Sequence, residues 1–436
     1  MFTGFIQAFR TPDLRKKLLF TMLVLAAFRL GSQLPTPGVD TQAIHQCLQP
    51  ALDGGGIYGL INLFSGGALL QLSIFALGIM PYITASIIIQ LLVVVIPRLE
   101  TLKKEGQSGT TKLTQYTRYL TIGLAILQST ALIAIARQPG RLLQGCTQPL
   151  IHDSVNVFGI LAMVCVMTAG TSVIMWLGEL VTDRGVGNGM SVLIFTQIAA
   201  TFPQSLWQIK LVDGWAVFLA VMAAGLVLVA AVVFVEQAQR RIPVQYAKRM
   251  IGRRMYGGTS TYIPLKVNQA GIIPVIFASS LLYLPALATQ IGNSTSSWSV
   301  WIQQNFTRGD KPLYMLAFFL LIVFFAFFYV AITFNPSELA DNMKKYGGFI
   351  PGIRAGRPTE EYLDYVLNRI TTAGALYLGL VALIPMIAIA VLGSSVSQQR
   401  FPFGGSSILI MVGVGLDTVK QIQSQLQQRN YEGFLR

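Results

Sequence analysis

The side chains that most often carry chemistry are scarce in this chain, and they do not converge. Among 436 residues there are two histidines, His45 and His152, and three cysteines. Both histidines fall in expected outer loops, well separated, so they offer neither a metal pair nor a base beside a nucleophile. The sequence contains no Gly-x-x-x-x-Gly-Lys-Ser/Thr phosphate loop, no His-Glu-x-x-His helix and no Gly-x-Ser-x-Gly elbow. Gly413-Val-Gly-Leu-Asp417 comes within one residue of the glycine–aspartate spacing of intramembrane aspartyl proteases. That chemistry divides acid and base roles between two carboxylates, and Asp417 stands near Lys420 at the end of an apolar stretch, as a boundary residue would. The chain is therefore expected not to be an enzyme, with no catalytic residue, metal site or cofactor. A small-solute carrier coupled to ions would need ionisable groups near the bilayer midplane, where charge is costly. Glu179, Glu236 and Asp417 lie at stretch ends instead. Arg29 alone lies inside one, where it snorkels outward, pairs in the outer leaflet or has a function of its own.

What the chain offers in place of reactive groups is broken apolar backbone. Residues 62–97 are apolar enough for a membrane, yet interrupted at Ser65-Gly66-Gly67 and again at Gly78-Ile79-Met80-Pro81. Backbone released from helical hydrogen bonds is tolerated in a bilayer only where protein or a water-filled cavity satisfies it. The segment is thus expected to line a cavity.

The elements that must position it are membrane spans. A charged fraction of 11%, a hydrophobic fraction of 53% and a mean hydropathy of +0.59 exclude an ordinary soluble domain. A span takes about 20 apolar residues. Candidates lie at 18–34, 72–96, 119–136, 157–178, 190–206, 215–235, 271–291, 313–334, 372–392 and 406–418, the first interrupted by Arg29 and the last short. With the N-terminus cytoplasmic and spans alternating, most Lys and Arg of the +14 chain fall on one side, the positive-inside pattern. An even number of spans returns Lys420, Arg429 and Arg436 to that side. The first stretch ends in Pro35-Thr36-Pro37-Gly38 rather than a small-residue cleavage site, so no removable leader is expected.

The long polar stretches, 236–268 and 335–370, and the shorter 98–118 all lie on the basic side. In the first, Arg240-Arg241, Lys248-Arg249 and Arg253-Arg254 alternate with Tyr246 and Tyr256. RNA phosphates, an acidic protein or plain solvent would each suit them. Cys165 lies in a span, while Cys47 and Cys146 share the outer side, bridged or free. The expectation is an all-α polytopic membrane protein, ten transmembrane helices in two inverted pseudo-symmetric halves of five, 1–206 and 207–436.

In order along the chain stand Phe64-Ser-Gly-Gly-Ala68, Phe75-Ala-Leu-Gly-Ile-Met-Pro-Tyr82, Lys104-Glu-Gly-Gln-Ser-Gly109 and Gln115-Tyr-Thr-Arg-Tyr119. Trp176-Leu-Gly-Glu179, the turn from Arg184 to Ser191, Gln239-Arg-Arg-Ile242, Pro264-Leu-Lys-Val-Asn268, Phe334-Asn-Pro336 and Gly348-Phe-Ile-Pro-Gly-Ile-Arg354 follow. Together, from about residue 14 to 435, these motifs resemble the SecY family of protein-conducting channels. The resemblance implies a channel that passes unfolded, signal-bearing polypeptides across a membrane and releases membrane proteins sideways into lipid. It implies an hourglass pore with a waist of aliphatic side chains, here Ile79, Ile83, Met190, Ile194, Ile276 and Ile410. Such a constriction excludes ions by dewetting, and Met190, long and adaptable, stands where relatives carry a branched side chain. It implies a plug at about 62–73 with Ser65, Gly66, Gly67, Ala68, Leu69 and Leu70, and a lateral gate between the second, third, seventh and eighth spans with Thr84, Gln128 and Asn268. Implied partners are SecE, SecG, the motor ATPase SecA and the ribosome. The last two would dock on Arg240, Arg241, Arg253, Arg254 and Arg354. The implied location is the bacterial plasma membrane, or a thylakoid, with both termini cytoplasmic.

Overall fold

The computed structural model of the protein describes residues 11–44, 68–69, 71–137, 150–152, 156–246, 249–251, 254–256, 260–291, 297–306, 311–392 and 405–432. Helices dominate, and proline and asparagine set many of their starts. Helix α1 (Pro12–Gln33) opens on proline, whose missing N–H costs nothing in a first turn. Helix α2 (Met80–Val95) has Pro81 in its first turn, and Pro97 ends it. There the chain bends by 100° into the short polar helix α3 (Pro97–Lys104). Two long helices follow, α4 (Gln107–Ala136) and α5 (Val157–Arg184). Next comes α6 (Gly189–Gln237), which breaks at Gly214, where φ is 84°.

Helices α7 (Ile273–Ile291), α8 (Ser297–Phe306), α9 (Pro312–Thr333), α10 (Pro336–Lys345), α11 (Arg357–Leu392) and α12 (Gly405–Glu432) complete the helical set. Among the described residues, Gln107–Ala136, Val157–Arg184, Gly214–Gln237, Pro312–Lys345 and Arg357–Ile387 are long and apolar enough to cross a membrane, and the bent pair α2–α3 would add a sixth. Large apolar side chains such as Leu226, Val227, Phe234, Leu320 and Phe324 are exposed on these helices. Lipid is the environment in which such faces are stable. The protein is a multi-pass membrane protein.

Two findings depart from the sequence expectation. The stretch 72–79, expected as the start of a span, is a series of turns, and helix begins only at Met80. Left-handed backbone at Leu72 (φ 45°) and Gly78 (φ 56°) accounts for this. The polar stretches are not all helix and loop either. Strand β1 (Gln239–Tyr246) pairs antiparallel with β4 (Ser260–Lys266) on one side and with β5 (Gly348–Phe349) on the other. At the tip, β2 (Arg249–Ile251) pairs with β3 (Arg254–Tyr256). Ile242 and Val244 alternate with exposed Arg241, Pro243 and Gln245, the period of a half-buried strand. Their buried faces join Leu265, Met343, Ile350 and Leu363 in one apolar cluster, so both long polar stretches build a single strand-bearing end.

Helix packing brings α1, α2, α4 and α5 together, and α7, α9 and α11 likewise. Contacts between these sets run through α7, which meets α2 and α4, and through the first limb of α6, whose Leu193, Ile194 and Ile198 share a cluster with Ile410 and Val414 of α12.

Candidate functional site

The six aliphatic side chains picked out in the sequence converge. Ile79 and Ile410 are each 1% exposed, Ile194 is buried, and Ile83, Met190 and Ile276 pack half-buried against the same cluster. They arrive from four places: the edge and first turn of α2, the first turns of α6, the first turn of α7, and α12. Local chemistry places each. Asn188 caps α6, its Oδ1 accepting from the N–H groups of Met190 (3.1 Å) and Ser191 (3.5 Å). The Thr182 hydroxyl oxygen accepts from Gly189 N–H at 2.9 Å. A Cβ on Gly189 would strike the Gly178 carbonyl, and one on Gly178 would strike Met190 Sδ. Two glycines from two motifs therefore let α5 and α6 approach closely enough to seat Met190.

Beside this cluster lies a cavity of about 700 Å³. Ile194, Ile276 and Ile410 line its apolar part, and Glu236, Lys266, Asn268 and Asp417 its polar part. Lys266 Nζ and Asp417 Oδ1 stand 3.5 Å apart across an exposed edge. The apolar cluster and the charged lining of the cavity thus stand side by side.

Of the expected plug, Ser65, Gly66, Gly67 and Leu70 lie outside the described residues. Ala68 and Leu69 are buried in a turn, with Leu69 packed in an apolar cluster that includes Leu132 and Met163. The non-helical backbone that follows is satisfied by hydrogen bonds to protein rather than by the cavity the sequence led one to expect. Leu72 carbonyl accepts from Thr36 N–H (3.0 Å), Ile74 N–H donates to Leu34 carbonyl (2.9 Å), and Ser73 N–H donates to Ala68 carbonyl (3.0 Å). Gly170 and Gly31 make room for this segment, since a Cβ would meet Ile74 carbonyl oxygen or the Phe75 ring.

The three candidate gate residues sit on helices that touch, α2, α4 and the approach to α7. Among the described residues, however, no hydrogen bond joins them. The Thr84 hydroxyl donates to Met80 carbonyl at 2.9 Å within its own helix. Gln128 is half-buried on α4. Asn268, 3% exposed, donates from Nδ2 to Glu236 Oε1 at 2.6 Å and to Gly271 carbonyl at 3.2 Å. The sequence had Glu236 only as a boundary residue; nothing in its spacing announced Asn268 as its partner.

Arg240 and Arg241 are exposed on β1, with the Arg241 guanidinium 4.9 Å from the Tyr262 ring centroid. Arg354 is exposed in the turn after β5, on the same strand-bearing end. Arg254 lies on β3, and Arg253 falls outside the described residues, as do His45, Cys47 and Cys146. Cys165 is exposed.

One ion pair joins two of the motifs on separate helices. Arg118 forks onto Glu179, Nε to Oε1 at 2.8 Å and Nη2 to Oε2 at 2.6 Å, while Nη1 donates to Gln115 Oε1 at 3.1 Å. It ties α4 to α5. Two motifs on separate helices, each with an unmatched charge, were the available signal.

Comparison with known proteins agrees with this architecture. A family model described as SecY matches residues 73–419. Among curated relatives, the "Protein translocase subunit SecY" of Streptomyces galbus is 67% identical over 440 residues, covering all of both chains. That of Mycobacterium tuberculosis is 57% identical over 444 residues, again over the whole of both chains. Among solved structures, "The structure of a protein conducting channel" superposes with a TM-score of 0.63 at 18% identity, covering 94% of this chain and 91% of the other. "Sec61 in the Canine ribosome-channel complex from the endoplasmic reticulum" gives 0.60 at 17% identity, with the same coverage of both chains. At such identities the likeness is one of fold. The family-model match over most of the chain and these full-length relatives establish that the chain belongs to the SecY family.

Proposed function

We propose that the chain is the channel subunit of a bacterial protein translocase, passing unfolded signal-bearing polypeptides across the plasma membrane and membrane proteins sideways into lipid. The observation that carries this reading is the convergence of Ile79, Ile83, Met190, Ile194, Ile276 and Ile410 on one apolar closure beside a charged cavity. Side chains, rather than backbone, make the seal, so it yields to a passing chain by rotamer changes and closes behind it. The translocase subunits among the relatives, and the ribosome-bound channel among the solved structures, support the same reading. In it the ten spans form two inverted halves, residues near 62–73 plug the outer funnel, and α2 and α4 part from α7 to open a gate carrying Thr84, Gln128 and Asn268. SecE and SecG complete the channel. SecA or a translating ribosome docks on the strand-bearing end through Arg240, Arg241, Arg253, Arg254 and Arg354, and supplies the energy. Both termini are cytoplasmic. The test is reconstitution with SecE and SecG in lipid vesicles, followed by SecA, ATP and a signal-bearing precursor. Protease-protected precursor that depends on ATP and on the signal is the expected result. A channel that forms the complex but protects no precursor would refute the reading.

A further inference from the structure

Gln197 is 1% exposed, and neither its Oε1 nor its Nε2 has a hydrogen-bond partner. Because both terminal atoms are bare, this holds for either orientation of the amide. Burying an unpaired amide costs stability, and the local packing gives no return for it. Leu193, Ile194 and Ile198 around it in sequence all belong to the apolar cluster of the closure.

The helix register shows where this amide stands. On the first limb of α6 the cavity is lined by Asn188, Ser191 and Ile194. Gln197 follows three residues after Ile194 and seven after Met190, the spacings that return a helix to the same face. It therefore lies one turn, about 4.5 Å, beyond the aliphatic ring along the helix, on the side away from the cavity. Phe75 and Ile79, in the non-helical turns before α2, belong to the same cluster. Thr36 and Ser73 bring buried hydroxyls to those turns, but neither bonds to Gln197 or to any other group. The amide thus has no partner within the idle protein. A partner that arrives must carry a donor and an acceptor close together, and must reach this level through the ring. Peptide backbone does both, since every residue except proline has one N–H and one C=O.

We propose that Gln197 is a sequence-independent contact for the polypeptide in transit. Its amide pairs with the backbone of an extended chain just past the aliphatic ring, donating from Nε2 to a C=O and accepting at Oε1 from an N–H. These bonds form only when a chain fills the closure, and they slow the backward slide of a stalled chain. The inference rests on the channel reading above.

The experiment stalls a precursor in the reconstituted vesicles by a folded domain at its C-terminal end, removes ATP and follows backward release. Two precursors place either a glycine–serine run or a proline run in the closure. Gln197→Met keeps the length and flexibility of the side chain and removes the amide. One hydrogen bond corresponds to roughly two- to tenfold, so the glycine–serine precursor should slide back faster by that factor. Proline offers no N–H to Oε1, so the same substitution should speed release of the proline precursor by a smaller factor. Gln197→Leu, branched but equally without an amide, should repeat both results. Idle conductance should not rise in either variant, because the amide has no partner there. Unchanged release of the glycine–serine precursor, an equal factor for both precursors, an effect in only one of two assembled variants, or a rise in idle conductance would each overturn the proposal. Should Gln197→Met fail to assemble, Gln197→Leu decides alone on the same measurements. Signal-dependent export of an unstalled precursor by the wild type reports on the channel reading itself. Vesicles that fail that control refute both readings, whereas vesicles that pass it with unmoved release rates refute only the role of Gln197.

Discussion

Ile194 shows how a single side chain acquires its place. Nothing about an isoleucine near the start of a helix is distinctive, and by itself it is ordinary packing. Asn188, its Oδ1 accepting from Met190 and Ser191 N–H, fixes where α6 begins, and Gly189 fixes how near α5 the helix lies. Ile194 then has one position available, facing Ile79 and Ile410 in their cluster. Ile194→Asn places a polar amide in that closure, and the idle channel should conduct ions more readily. The check is single-channel recording in planar bilayers, where conductance equal to the wild type would remove Ile194 from the seal. Gly189→Ala brings a methyl against the Gly178 carbonyl. Overpacking of this kind costs on the order of 1–3 kcal/mol, so a lower thermal midpoint of the purified complex is expected, with Ser191→Ala, on the same turn, as a control.

Elements were legible in the sequence to the extent that their causes are local. In the structure, proline at 12, 81, 312 and 336 and asparagine caps at 188 and 335 stand at helix starts, local signals the chain carries in plain sight. The strands were missed because Ile242-Pro243-Val244 is a short alternation inside a basic stretch, and charge masked its period. The turns at 72–79 were missed for a different reason. Their composition is that of a helix, and the partners that satisfy their backbone, Leu34 and Thr36, lie more than 30 residues away. The same feature bears on the proposed plug, which leads directly into these turns. Deleting residues 65–70 removes the Ala68 and Leu69 carbonyls that accept from Ser73 and Leu72 N–H, but keeps Thr36 N–H on the Leu72 carbonyl and Ile74 N–H on the Leu34 carbonyl, and should take away the proposed outer seal. Idle conductance should then rise, at least as transient openings. A deletion channel as quiet as the wild type would deny the plug a part in sealing.

At the scale of the molecule, a division of labour follows from charge. Apolar helices face lipid, and the strand-bearing end carries the exposed arginines on a ladder tied to α10 and α11 by its apolar cluster. A surface this basic suits an acidic or phosphate-rich partner. Arg354→Glu reverses one charge in an exposed turn, with little expected cost to folding. SecA-driven export should fall several-fold, with the channel still purifying as a complex. Undiminished export would take Arg354 out of the docking surface.

By itself the sequence determined that the chain is a largely helical multi-pass membrane protein and which family it belongs to, because hydropathy and motif order are properties of the chain. It also supplied the six aliphatic candidates, through the resemblance. Only the tertiary structure decided that these six share one cluster, that Arg118 and Glu179 join two motifs, and that Asn268 answers to Glu236 rather than to Thr84. Those are contacts between residues 32 to several hundred positions apart. Such contacts depend on how helices lie against one another, and that is set by glycines, caps and bends acting together, a geometry that no local pattern encodes.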